Sequence, residues 1–544
     1  MGKNNLIDLF IESFKQNRGL PAFSDYQGKT MTYGEAAQVI RQMHHFFNTS
    51  GIEKGDKIAL FGRNSSNWAI SFLAILSYGA VVVPVLPDFN PEDVHHILNH
   101  SESKFLFVAD QLFDKLTLDK IPDIRSVVSL TNFDALHFSD EKQKTAWLSI
   151  MKGATLPDPD DPKMADLSPE DLCIISYTSG TSGFTKGVMI PVRSLYSNII
   201  FAQEHMPLKP GNRIVSFLPM AHVFGLLFEF LFPASVGCHI TFLTKAPTPQ
   251  IITKAFEEVK PHLILSVPLV IEKIYKKKIQ PTLEKPLIRV LLKIPGISGL
   301  LHRQIRQKLI ETFGGNFFEL VIGGAALNPE VESFFRKIKF PFTIGYGMTE
   351  CGPLISYDSW KTTRPSSAGR LVDRMELKID SDDPSRQVGE IMVRGANVML
   401  GYFKNPEATR EVLGPDGWLR TGDLGITNPE SYIFIRGRSK NMLLGPSGQN
   451  IYPEEIEAKL NNLPYISECV VVEREKKLVA LVFPDKESQS SEHIGDEQLI
   501  NLMEDNRVLV NRELPRYAQI SKIQLVETEF EKTPKKNIKR YLYT

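Results

Sequence analysis

A chain of 544 residues is several times the usual size of one domain, so two or more compact units with substantial cores are expected. Lys plus Arg and Asp plus Glu number 63 each, which leaves a formal net charge of zero and no global field to draw the protein to nucleic acid or to an anionic membrane; any partner preference has to be local. The four cysteines, Cys173, Cys238, Cys351 and Cys469, stand far apart without short paired spacings, which argues against a zinc site or a disulfide framework and points to a reducing, cytoplasmic setting.

The first residues, Met1-Gly-Lys-Asn-Asn-Leu6, lack the apolar run of a signal peptide, and Leu6 stands where a myristoylation signal needs Ser or Thr, so no targeting segment is expected. The apolar stretch from Trp68 to Pro87 approaches membrane-spanning length, but Ser71, Ser77, Tyr78, Gly79 and Pro84 interrupt it. It reads instead as a helix over 68–77, a stop at Gly79 and a buried strand over 80–85. Short β-branched or aromatic runs then alternate with helix-period segments: Lys57–Phe61, Val81–Val85, Phe105–Val108, Leu172–Tyr177, Arg213–Phe217, Leu263–Val267 and Phe318–Ile322. That alternation predicts parallel sheets covered by helices, with loops and ligands at the strand ends. From about Ser366 to Ile435 short strands and turns suggest a small β subdomain. A boundary follows near Gly437, giving an N-terminal unit over 1–437 and a small, mobile α+β unit over 438–544. The latter opens with a helix at Pro453, with Glu454 and Glu455 in its first turn, and continues with strands at Cys469–Val472 and Leu478–Phe483. The fold class is therefore α/β: a large domain of two helix-covered sheets plus a small β subdomain, then a small α+β domain.

The most informative stretch is Tyr177-Thr-Ser-Gly-Thr-Ser-Gly-Phe-Thr-Lys-Gly187, which follows a predicted strand and precedes a helical segment. Its glycines let backbone N–H groups turn inward while Thr178, Ser179, Thr181, Ser182 and Lys186 supply further donors, which suits a polyphosphate. It is not a Walker A loop, because Gly187 rather than Ser or Thr follows Lys186, and no Rossmann glycine fingerprint appears.

Together with Gly345-Tyr-Gly-Met-Thr-Glu350, Trp418-Leu-Arg-Thr-Gly-Asp423 and Gly437-Arg-Ser-Lys-Asn-Met442, in that order, this loop resembles the adenylate-forming superfamily of acyl-CoA synthetases, luciferases and peptide-synthetase adenylation domains. The likeness covers nearly the whole chain. Leu218-Pro-Met-Ala-His-Val-Phe-Gly225, Gly323-Gly-Ala-Ala-Leu327, Gly401-Tyr-Phe-Lys-Asn-Pro-Glu407 and Asn450-Ile-Tyr-Pro-Glu-Glu-Ile-Glu457 look most like bacterial long-chain fatty acyl-CoA synthetases. The resemblance implies activation of a fatty acid with ATP and Mg²⁺ through an acyl-adenylate and transfer to CoA. The enzymatic alternative is an acyl-AMP ligase delivering to an acyl carrier protein.

By the same resemblance the loop from Thr178 to Lys186, including Gly180 and Gly183, clamps the β- and γ-phosphates, and Glu350 is the Mg²⁺ ligand, a role that suits a carboxylate. Gly323, Gly324 and Ala325 offer bare backbone, and Tyr346 an aromatic face, for adenine. Gly347 and Thr349 belong to the same nucleotide-binding motif. Asp423 resembles the carboxylate that accepts from the ribose hydroxyls, with Arg438 as a second ribose contact. Lys440 matches the hinge about which the small domain turns, and Gly448 is a candidate for close approach to the pantetheine arm of CoA. His222 is either a satisfied core residue or, as the family pattern implies, a neighbour of the acyl pocket.

Two departures stand out. Family members carry a lysine from the small domain that reaches the α-phosphate; in Lys532-Thr-Pro-Lys-Lys-Asn-Ile-Lys-Arg540 that position is Asn537. Loss of its charge would cost about 2–4 kcal/mol of transition-state stabilisation unless Lys536 or Lys535 takes over; otherwise the chain is a slow or inactive variant. Thr185 replaces the proline common before the loop lysine. Finally, the segment from Glu272 to Glu311 holds ten basic residues against three acidic ones, interleaved with apolar Leu287, Ile288, Leu291, Leu292 and Ile294. It is either an amphipathic face for an anionic inner-membrane surface or an acidic carrier protein, or a solvated helix whose apolar stripe faces the core.

Overall fold

The computed structural model describes residues 6–153, 164–179, 185–283, 285–292, 294, 296–444, 449–533 and 538–544. The largest sheet has eight strands in the order Gly401–Tyr402, Thr185–Pro191, Leu172–Ser179, Val81–Val85, Lys57–Phe61, Ser103–Val108, Ser126–Ser129 and Ala135–Phe138. The five strands from Leu172–Ser179 to Ser126–Ser129 pair in parallel, as the alternating pattern predicts. Strand periodicity divides their side chains between two cores. Ile58 and Leu60 join Ile40, Met43, Phe46 and Phe47 of the helix Tyr33–Thr49 on one face. Ala59 and Phe61 join Val94, Ile97 and Leu98 of the helix Pro91–Ser101 on the other. Each fully buried Ile, Leu or Phe stabilises the fold by about 1.5–3 kcal/mol before conformational entropy is counted.

The apolar stretch after Asn64 folds as its punctuation predicts. The Ser65 hydroxyl accepts from the Trp68 N–H at 3.1 Å and starts the helix Ser66–Tyr78. Gly79, at φ +89°, ends it in the left-handed region, and the fully buried strand Val81–Val85 follows. Among the described residues no helix is long and apolar enough to cross a membrane. All four cysteines are free and buried.

The second helix-covered region consists of a four-stranded sheet, in the order Arg213–Ser216, His239–Phe242, Pro21–Asp25 and Thr30–Thr32, and a parallel three-stranded sheet, Leu263–Ser266, Glu319–Ile322 and Phe342–Ile344. The His262 N–H donates to the Arg213 carbonyl at 2.8 Å and joins the two at one edge. The expected small β subdomain is an antiparallel sheet of Met375–Asp380, Gly389–Gly395, Leu419–Thr427 and Ile433–Arg438. Two strands stop one residue short of expectation, and both ends have a cause. The Phe217 N–H donates to the Glu229 carboxylate at 2.9 Å instead of to a ladder, and Val267 precedes Pro268, the first residue of the helix Pro268–Ile274.

From residue 443 onward the chain packs cores of its own. Strands Ile466–Arg474, Lys477–Pro484 and Ile520–Leu525 form one sheet. Cys469 and Val471 face the helices Pro453–Leu460 and Asp496–Glu513, while Val470 and Val472 pack with Phe530.

The basic segment exposes part of its apolar side-chain surface. Leu287 and Val290 of the helix Pro286–Leu291 are 69% and 58% exposed, and Ile297 and Leu300 of the helix Ile297–Thr312 are 38% and 61% exposed. Ile294 between them is exposed as well. Of the five apolar residues of the stripe, Leu287 and Ile294 are exposed, so the core-facing reading fails for those two, whereas Ile288, Leu291 and Leu292 are half-buried.

Candidate active site

The sheets and the C-terminal region border one cleft of about 2230 Å³. Its phosphate-loop end is built by a hairpin: Leu172–Ser179 and Thr185–Pro191 pair antiparallel, so Thr178 lies opposite Lys186 and Ser179 opposite Thr185. Thr178, Thr185 and Lys186 line the cleft, and the Thr185 hydroxyl is buried with no hydrogen-bond partner among the described residues. Gly180, Thr181, Ser182 and Gly183, between the two strands, lie outside the described residues.

Glu350 sits in the short turn Thr349–Cys351 and also lines the cleft. One carboxylate oxygen accepts from the Tyr402 hydroxyl at 2.9 Å; the other has no hydrogen-bond partner among the described residues. The Lys186 ammonium stands 4.8 Å from the centre of the Tyr402 ring. A hard carboxylate oxygen and a cationic donor lining one cleft are a set that fits a divalent cation bound to a polyphosphate.

Gly323, Gly324, Ala325, Tyr346, Gly347 and Thr349 line the adjoining wall. Gly324 has φ +87°, a conformation open to glycine, and a Cβ on Gly347 would stand 2.2 Å from the Pro353 carbonyl oxygen. Tyr346 is buried and donates to Asp423 Oδ2 at 2.6 Å. Burial pushes this phenol well above its usual range, with the Asp423 charge adding to the effect, so it stays a donor. Asp423 and Arg438 are directly opposed in register on Leu419–Thr427 and Ile433–Arg438, and the Arg438 Nε lies 2.9 Å from Asp423 Oδ1. Burial raises the Asp423 carboxyl above the usual range, while Arg438 and the Tyr346 hydroxyl pull the other way. Both carboxylate oxygens thus already hold partners, and Arg438 is the exposed one that a ribose could displace.

Lys440, in the turn Ser439–Asn441, is exposed at the cleft margin. Gly448, Lys535, Lys536 and Asn537 lie outside the described residues. The chain on either side of 534–537 is fixed: the Lys532 ammonium pairs with Glu468, Lys532 bridges to Ile538, and Arg540 forms a two-pronged pair with Glu457 at 2.6 and 2.7 Å. Thr533 and Ile538 both line the cleft.

His222 is half-buried and lines the cleft beside Leu218, Val223, Phe224 and Phe228, so it is not an enclosed core residue. The loop that carries it is clamped from two sides. Asn64 donates to the Leu218 carbonyl at 2.7 Å and accepts from the Met220 N–H at 2.9 Å. Buried Glu229 accepts from the Phe217 and Leu218 N–H groups, both at 2.9 Å, and burial drives its carboxyl well above the usual range. Sequence reasoning assigned no role to Asn64, Glu229 or Tyr402. Only Tyr402 carried a signal, its place in Gly401-Tyr-Phe-Lys.

The chain is similar to known proteins over most of its length. A long-chain-fatty-acid–CoA ligase, FadD15, of Mycobacterium bovis is 28% identical over 510 residues, spanning 87% of this chain and 82% of that one. The long-chain-fatty-acid–CoA ligase of Escherichia coli O6:H1 is 29% identical over 498 residues, 86% and 82% of the two chains. Among solved structures, an anthranilate CoA ligase, AuaEII, in complex with anthranoyl-AMP superposes with a TM-score of 0.79 at 20% identity, over 99% of this chain and 96% of that one. The model of the AMP-binding enzyme family matches residues 10–403, and that of the AMP-binding enzyme C-terminal domain matches 441–543. With the first model alone matching well over half of the chain and the second most of the rest, the chain belongs to the AMP-binding enzyme family.

Proposed function

We propose that this cleft joins a long-chain fatty acid to CoA in two steps, with ATP, Mg²⁺ and CoA as its small-molecule partners. In the first, a carboxylate oxygen of the acid attacks the α-phosphorus of ATP and the bond to the bridging oxygen breaks, giving acyl-AMP and pyrophosphate. In the second, the CoA thiolate attacks the acyl carbon and AMP leaves with the electrons of the cleaved C–O bond. The observation that carries this reading is that Lys186, Tyr346, Glu350 and Asp423 share one cleft with the apolar residues Val223, Phe224 and Phe228. The long-chain-fatty-acid–CoA ligases to which the chain is similar support the substrate class.

In this reading Thr178, Lys186 and the intervening loop bind the β- and γ-phosphates, and Lys186 supplies positive charge as pyrophosphate departs. Bound Mg²⁺, held by Glu350, neutralises phosphate charge. Tyr346 and the Gly323–Ala325 backbone hold adenine, with Gly347 and Thr349 beside it, and Asp423 with Arg438 holds the ribose. His222, at the head of the apolar wall, orients the acid carboxylate. Lys536 supplies the cation that Asn537 lacks, near the α-phosphate. Lys440 is the hinge between units 1–437 and 438–544, whose separate cores support that division, and Gly448 lets pantetheine pass in the second step.

The competing enzymatic reading is delivery of the acyl group to a carrier protein. Mass analysis of a reaction containing ATP, a long-chain acid and CoA decides between them. Acyl-CoA and AMP in equal amounts are expected; an adenylate that accumulates until a phosphopantetheinylated carrier is added would overturn the CoA reading. The exposed apolar residues of 287–300, flanked by exposed Lys285, Arg303 and Lys308, support peripheral contact with an anionic membrane, where a long-chain acid partitions.

A further inference from the structure

We propose that Tyr402 is a positioning residue that holds Lys186 and Glu350 apart, and each in place, before nucleotide enters. The proposal rests on the reading of Lys186 as a phosphate ligand and Glu350 as the metal ligand, and adds what keeps the two from neutralising each other. A lysine ammonium on a flexible four-carbon stem close to a carboxylate would ordinarily swing into an ion pair. Among the described residues no ion pair joins Lys186 and Glu350; Tyr402 engages both instead. Its hydroxyl donates to Glu350 Oε1 at 2.9 Å, and its ring face takes the Lys186 ammonium at 4.8 Å from the centroid.

The backbone makes this arrangement stiff. Tyr402 pairs with Val188 and Gly401 with Met189, so the residue is laced to the strand that carries Lys186. The Phe403 N–H donates to the Gly187 carbonyl at 2.8 Å, and the Leu400 N–H to Met189 at 2.9 Å. One residue earlier, the Met399 N–H donates to the Glu350 carbonyl at 2.9 Å. The Tyr402 N–H donates to the Thr409 hydroxyl at 2.9 Å, tying the segment to the helix Pro406–Val412. Tyr402 is 7% exposed, so its ring has little freedom to leave. The segment 399–403 therefore spans from the outgoing strand of the phosphate loop to the acidic turn, and its tyrosine presents one contact to each charge. When MgATP enters, the ammonium and the second carboxylate oxygen are available without first breaking a pair between them.

The test separates the two contacts. Tyr402→Phe keeps the ring and removes the hydroxyl; Tyr402→Leu removes both. Binding of ATP to the full chain is followed by calorimetry without Mg²⁺ and across a Mg²⁺ titration, with Glu350→Gln as reference and thermal melting as a check on folding. Tyr402→Phe is expected to raise the Mg²⁺ concentration for half-maximal enhancement of ATP binding by about tenfold, the scale of one hydrogen bond to a charged group, while leaving metal-free binding of ATP unchanged. Tyr402→Leu is expected to weaken metal-free binding as well. If Glu350→Gln shifts the Mg²⁺ dependence and Tyr402→Phe, folded, does not, the proposal is overturned while the metal reading stands. If Glu350→Gln leaves that dependence unchanged, the metal reading falls and the proposal with it.

Discussion

Asp423 and Asn537 show how far single residues could be read. In isolation Asp423 is an ordinary turn residue; its Thr-Gly-Asp setting pointed to ribose, and the fold buries it between Tyr346 and Arg438. Burial, and hence the raised carboxyl, could not be read from the motif, because it depends on the strand Ile433–Arg438 folding back in register. Tyr402 was legible as part of a motif but not as a link between charges, since Lys186 lies more than two hundred positions away in the sequence. Asn537 raises the sharper question. Lys532 and Arg540 on either side are held by Glu468 and Glu457, and substitution tests the proposed compensation by Lys536. Lys536→Ala should lower pyrophosphate exchange by about a hundredfold, the effect of removing one preorganised donor, while Asn537→Lys should change it by less than about tenfold. A hundredfold gain in Asn537→Lys would show instead that the native chain lacks a compensating cation.

Secondary elements were the most legible level where period and punctuation agreed. The segment Trp68 to Pro87 divided at Gly79 because a left-handed C-cap is what glycine permits, and the strands of the parallel sheet appeared where β-branched runs lay between turn residues. Strand ends escaped where a side chain captured a backbone group, as Glu229 captures the N–H groups of Phe217 and Leu218. The basic segment could not be resolved by composition, because a core stripe and a surface stripe share one pattern; Leu287, Val290, Ile294 and Leu300 are exposed, while Ile288, Leu291 and Leu292 are half-buried. Apolar side chains flanked by cations gain from inserting at an anionic interface, roughly 1 kcal/mol for each basic residue near the surface. The protein should therefore float with vesicles containing anionic lipid and remain at the bottom with neutral ones, and Leu287→Glu with Leu300→Glu should abolish flotation. Equal flotation of native and doubly substituted protein, or none with either lipid, would exclude this surface.

At the scale of the whole molecule, the order of the motifs along the chain announced the family, whereas the convergence of those motifs is a property of the folded cleft alone. Thr178, Thr185, Lys186, residues 323–325, 346–350 and Asp423 come from different parts of the fold, and only their packing sets them in one cleft with the apolar Phe224 and Phe228. Specificity for chain length depends on the depth of that wall, which no motif encodes. Formation of an acyl-adenylate from a long-chain acid is the step on which the proposed function stands. Trapping the adenylate with hydroxylamine in the absence of CoA, across straight-chain acids of graded length and an aryl acid, tests it most directly. Hydroxamate and pyrophosphate in equal amounts, rising with chain length, are expected; no hydroxamate from any acid, or hydroxamate from the aryl acid alone, would overturn the proposed activity.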